Sequence, residues 1–184
     1  SAAMSFSLRT GASGAIKAAL FDPVDAVHSG EMIASALGYS FLGFALTLLA
    51  LSPVLDLVGA KRVILLASAC YIVGPLLIIA APHAGSAEAV YRVLIFGMVL
   101  CGVAWGATEA AINPVTAALY PDDKTHRLNV LHAWWPAGIV CGGLWSVVVF
   151  KQLHLDWQAA IALICVPGVV FGAWALTKKF PHTE

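Results

Sequence analysis

Five stretches of this chain, at about 32–52, 63–81, 93–119, 128–150 and 157–177, contain between them a single Asp, Glu, Lys or Arg, namely Glu109. A hydrocarbon layer about 30 Å thick is crossed by roughly 20 helical residues rising 1.5 Å each. Each stretch has about that length. Each is apolar on every side, without the alternation that a membrane strand shows, so helices are expected. Sixty per cent of the residues are hydrophobic and eleven per cent charged, far below the quarter or so usual in water-soluble domains. The sequence therefore predicts an all-α integral membrane protein, a bundle of about five spans with almost no domain outside the bilayer.

Short polar breaks separate the spans. Ser52-Pro53 opens a turn that holds Asp56, Gly59, Lys61 and Arg62, and a second turn covers 82–86. The most charged stretch is 121–127, and a further link covers 151–156. Residues 1–8 read as the tail of a first helix. Residues 9–30 are too polar to span and read as an extracytoplasmic loop, with a short surface helix over 14–20 stopped at Asp22-Pro23. The division expected is thus 1–31 for a remnant of the first helix and its loop, 32–177 for the bundle and 178–184 for the start of a cytoplasmic linker.

Orientation follows from basic residues near span ends. Lys61, Arg62, Lys124, Arg127, Lys178 and Lys179 fall on one face, and Arg9, Lys17, Arg92 and Lys151 on the other. The six are assigned to the cytoplasm. Ten basic and ten acidic residues cancel, so no nucleic-acid surface is indicated. The four cysteines lie in apolar runs without metal-ligand spacing and read as reduced packing residues; no cofactor is expected. Gly102/Gly106, Gly138/Gly142 and Gly168/Gly172, each four apart, mark faces where membrane helices meet closely.

Glu109 is the residue that membrane packing explains least. A charge near the centre of a span costs about 2.5–3.5 kcal/mol on insertion scales, so Glu109 should face protein or water. Trp105, Glu109 and Asn113 follow at i, i+4 and i+8 and share one helix face, joining an aromatic platform, an acid and an amide. A second polar stripe on the next span contains Asn129, His132 and Trp135, beside Pro136, which frees a backbone carbonyl one turn earlier. Aromatic, acid and amide groups together suit a hydroxylated solute. A membrane enzyme would need a nucleophile and base or a metal cluster, and the spans offer neither spacing. A non-transporting scaffold or receptor bundle is the alternative.

These residues also carry a family resemblance. The turn Asp56-x-x-Gly59-x-Lys61-Arg62 resembles the signature loop between the second and third helices of the major facilitator superfamily, although Ser52, Leu57 and Ala60 depart from the pattern. The run Thr108-Glu109-Ala110-Ala111-Ile112-Asn113-Pro114, followed by Leu119-Tyr120-Pro121 and Arg127-Leu128-Asn129, resembles the fourth and fifth helices of fucose-permease-like sugar:proton symporters. The resemblance implies that the five spans are helices two to six of a twelve-helix transporter in a bacterial cytoplasmic membrane. A C-terminal half of six helices would complete it. Glu109 would then take part in proton coupling, and the turn at Asp56, Gly59, Lys61 and Arg62 would act as a conformational latch. The family's first-helix aspartate falls near Arg9, which could pair with Glu109. Its sugar-contacting residues would fall near His132 and Trp135, where the family's Gln and Asn are absent, so the resemblance carries over no substrate identity. The function expected is proton-coupled transport of a small polar solute, a sugar among the candidates, by alternating access.

Overall fold

The computed structural model describes residues 2–181, apart from the side chain of Lys151; Ser1 and the last three residues of the 178–184 segment lie outside the described residues. The chain is helical throughout, with no strand among the described residues. Helix α1 is Ala2–Leu20 and α2 is Ser29–Leu51. A 3-10 turn and the four-residue α3, Leu55–Val58, lead into α4, Ala60–Ala80. The longest helix, α5, is Ala87–Leu119, and α6 is Lys124–Val147. A π turn over Val148–Gln152 follows, then α7, Trp157–Ala162, and α8, Cys165–Thr177. Among the described residues, five helical segments are long and apolar enough to cross a membrane: Ser29–Val58, Ala60–His83, Ala87–Leu119, Lys124–Phe150 and Trp157–Thr177, the last being α7 and α8 together.

Helix α5 forms the axis, packed along α2 on one side and α4 on the other, while α1 pairs with α6 and α8 with α4. The glycine pairs seat these contacts. Gly102 lies so close to α2 that a side-chain carbon there would collide with the Ser40 carbonyl, and Gly106 is as tight against Phe44. Gly138 and Gly142 receive Ala3 and Ser7 of α1, and Gly168 and Gly172 receive Tyr71 and Ser68 of α4. Hydrogen bonds complete the joints, from the Ser7 hydroxyl to the Ile139 carbonyl at 3.0 Å and from the Ser68 hydroxyl to that of Gly168 at 2.8 Å. With lipid as the outer solvent, close approach of backbones and interhelical hydrogen bonds supply cohesion that hydrophobic burial supplies in water. Large apolar side chains such as Leu49, Leu144 and Val170 accordingly point outward.

Three features differ from the sequence reading. Helix α1 does not end at Leu8; it continues to Leu20, and Arg9, Ala12 and Ile16 are buried in the bundle rather than in an outer loop. Small Ala, Ser and Gly residues let α1 lie tight against α6, and Ser7 and Arg9 find hydrogen-bond partners on α6 and α2. The stop at Asp22-Pro23 stands, with Lys17 held to Asp22 at 2.7 Å. Next, α2, α5 and α6 begin three to six residues earlier than the expected spans, so that Lys124 and Arg127 form the first turn of α6 instead of a loop. Finally, the last span is broken at Leu163-Ile164, between α7 and α8. Pro167 cannot donate to the carbonyl of Leu163, which is where the helix restarts. By contrast, Pro75, Pro114 and Pro136 sit inside continuous helices, as neighbouring helices permit in a membrane. All four cysteines are free, with Cys70 and Cys101 buried.

Candidate functional site

A cavity of about 320 Å³ opens where α1, α2, α5 and α6 meet, and Phe44, Trp105, Glu109, Asn113, His132 and Trp135 lie on its wall. Helical spacing places three of them: Trp105, Glu109 and Asn113 descend one face of α5, one turn apart. His132 and Trp135 meet them from α6, three residues apart. Five of the six residues expected to bind solute are thus gathered in one place. The sixth, Asn129, is exposed and off the cavity wall, a turn beyond His132 toward the start of α6.

Glu109 is half-buried and turned to the cavity. The amide of Asn113 donates to the Glu109 carboxylate, Nδ2 to Oε2 at 3.3 Å, and to the Glu109 backbone carbonyl at 3.2 Å. The other end of that amide, Oδ1, is buried without a hydrogen-bond partner. The pair therefore presents carboxylate oxygens to the cavity, with an unpaired amide acceptor covered just behind them, an arrangement that suits a ligand rich in hydroxyl or N–H donors.

Trp105 is arranged differently from the open platform that the sequence suggests. Phe44 stacks on it at 4.1 Å between centroids and Trp135 at 4.7 Å, with interplanar angles of 27° and 20°. Two rings so nearly parallel to the indole cannot share one of its faces without touching each other, so they occupy opposite faces. Phe6 and Phe41 close around its edge. Phe41, Phe44 and Leu48, spaced three and four apart on α2, are the residues that motif reading passed over, and that spacing was the signal available.

Arg9 lies outside this wall. It is 2% exposed, and its guanidinium donates from Nε to the Ser5 carbonyl at 3.2 Å and from Nη1 to the Ser40 hydroxyl at 2.5 Å, with the Met98 sulfur at 3.7 Å. No ion pair joins it to Glu109 in this arrangement of the described residues.

The turn between α2 and α4 is built around Gly59, whose φ of +87° favours a residue without a side chain. Asp56 stands in α3 just before it. Arg62 returns to the Val58 carbonyl at 3.5 Å. Lys61 reaches across the bundle to the end of α8 and donates to the carbonyls of Leu176 at 2.8 Å and Lys178 at 3.1 Å. A cation at a helix C-terminus satisfies orphan carbonyls and complements the helix dipole.

The turn between α1 and α2 carries its own pair. Asp25 accepts from the His28 ring at 2.8 Å and from the His28 and Val27 amides. The His28 side chain foremost, then its backbone N–H, hold the Asp25 carboxyl below its ordinary pKa.

The Major Facilitator Superfamily model matches residues 2–184, and the chain belongs to that family of membrane transporters. Among the described residues its fold is all-α, with five helical segments long and apolar enough to cross a membrane, as in half of a major facilitator bundle. No curated protein and no solved structure matches it.

Proposed function

We propose that this chain forms the N-terminal half of a secondary transporter, of the fucose-permease-like kind, that moves a sugar or similar polyhydroxylated solute together with a proton. One observation carries the reading: Glu109, the one acid in the apolar stretches 32–52, 63–81, 93–119, 128–150 and 157–177, lines a cavity between α1, α2, α5 and α6, beside an amide with an unused acceptor. Intramembrane acids facing a cavity are functional by default, and transporter sites lie at midplane between two repeats. In this reading Glu109 takes the proton, and Asn113 Oδ1 accepts from a solute hydroxyl. His132 supplies a further hydrogen bond, and Asn129 meets the solute nearer the mouth. The Trp105–Trp135 stack parts to admit the sugar ring between aromatic faces. Arg9 is the permanent counter-charge that Glu109 faces when the bundle rearranges.

The turn at Asp56, Gly59, Lys61 and Arg62 serves as the latch against a second six-helix half. The two spans with the least cover from their own chain, α2 and α6, supply the faces for that half. The setting is a bacterial cytoplasmic membrane, with lipid, solute, proton and the other half as partners.

The test is Glu109→Gln in the intact two-half protein in proteoliposomes. Proton-driven accumulation is lost, while exchange of solute down its gradient persists. Unchanged proton-coupled uptake would remove Glu109 from the mechanism, and absence of any solute flux in the wild type would favour a scaffold.

A further inference from the structure

Beyond the end of α8 the chain folds back against α4 and α5 and encloses a slot of about 460 Å³, separate from the Glu109 cavity. Its floor is apolar, formed by Ile64, Val115, Leu119 and Phe171, and its rim carries Lys178 and Lys179. Among the described residues no acid lines it. Both rim lysines are exposed, and the Lys178 ammonium stands 5.8 Å from the ring centroid of Trp174, another wall residue. Lys61, which does not line the slot, anchors the backbone there through its bonds to the Leu176 and Lys178 carbonyls.

A soluble anion would use only this rim, and a neutral hydrocarbon only the floor. A molecule with an anionic head and an acyl tail uses both. Tryptophan marks the depth of a membrane interface, and basic pockets between spans on the cytoplasmic side hold anionic head groups. We infer that the slot binds an anionic phospholipid, its phosphate between Lys178 and Lys179 and one acyl chain along Val115 and Phe171. The slot and the Glu109 cavity share Thr108 and Ile112 on α5, so the lipid braces the helix that carries Glu109 from behind. This site does not depend on what the cavity transports.

The experiment reconstitutes the chain in nanodiscs of phosphatidylcholine with phosphatidylglycerol and counts lipids retained after transfer to detergent by native mass spectrometry. The wild type keeps phosphatidylglycerol in preference to phosphatidylcholine. Lys178→Gln with Lys179→Gln weakens that retention roughly thirtyfold, from the attraction of two lysines for an anionic head. The Lys178→Arg, Lys179→Arg pair restores it, which guards against misfolding. Lys124→Gln with Arg127→Gln, which removes as much charge from the same face, leaves it unchanged. Undiminished retention in the glutamine pair overturns the inference. So does equal loss in the Lys124/Arg127 control, which means diffuse surface charge. Displacement by inorganic phosphate at the same affinity, or no retained lipid in the wild type, overturns it too.

Discussion

The indole of Trp135 lies face to face with that of Trp105, 4.7 Å away and tilted by 20°, so that α6 is fastened to α5 at the cavity. Such a pair contributes about 0.5–1.5 kcal/mol beyond the area it buries. A double-mutant cycle with Trp105→Ala and Trp135→Ala, read by thermal unfolding in detergent, should return a coupling energy of that size. A coupling near zero would mean that the rings touch without holding the helices together.

Gly102 and Gly14 make a matched comparison. Both are helical, but a methyl group at Gly102 meets the Ser40 carbonyl, whereas at Gly14 it meets nothing within 4 Å. Gly102→Ala should destabilise by roughly 1–3 kcal/mol through overpacking. Gly14→Ala should stabilise by about 0.5–1 kcal/mol by restricting the unfolded chain. Equal effects in a melting experiment would show that α2 and α5 are not in close contact there.

Arg9 and Ser40 should respond in an order opposite to intuition. Ser40→Ala leaves a buried guanidinium without its hydroxyl acceptor, a loss of about 1.5–3 kcal/mol for a hydrogen bond to a charged group. Arg9→Met removes charge and partner demand together at similar length, which for buried ions is often neutral or stabilising. Denaturation of the two variants ranks them. Arg9→Met falling well below Ser40→Ala would mean that the guanidinium contributes through contacts other than these.

The turn between α1 and α2 should show acid sensitivity of one sign. Asp25 has its pKa lowered in the folded protein by His28, so its contribution is complete above the unfolded-state pKa and fades as pH falls through the folded one. Asp25→Asn should therefore melt below wild type above pH about 4, and the gap should close on further acidification. Melting curves taken at a series of pH values check this, and a gap that widens in acid contradicts the assignment.

The spans were legible because hydrocarbon length and the cost of charge act on each segment alone. Glu109 and Asn113 were legible for a similar reason, since one turn of α5 brings them together. Helix α1 was not, because Ser7 and Arg9 read as polar until Ile139 and Ser40, far along the chain, are seen to satisfy them. The sandwich around Trp105 was hidden in the same way, as its partners come from α2 and α6. Asn129 was grouped with His132 by spacing alone, and the cavity ends short of it. The break at Leu163-Ile164 carried a local sign in Pro167, outweighed by an apolar run long enough to pass for one rod.

Lys61 bonds to carbonyls on both sides of Thr177, and it does so from the first turn of another helix. The loop at Gly59 and the exit of the chain are thus yoked like two ends of a lever. A displacement of the Gly59 turn therefore moves the stretch around Thr177 with it, because the two Lys61 bonds end on the carbonyls that flank that residue.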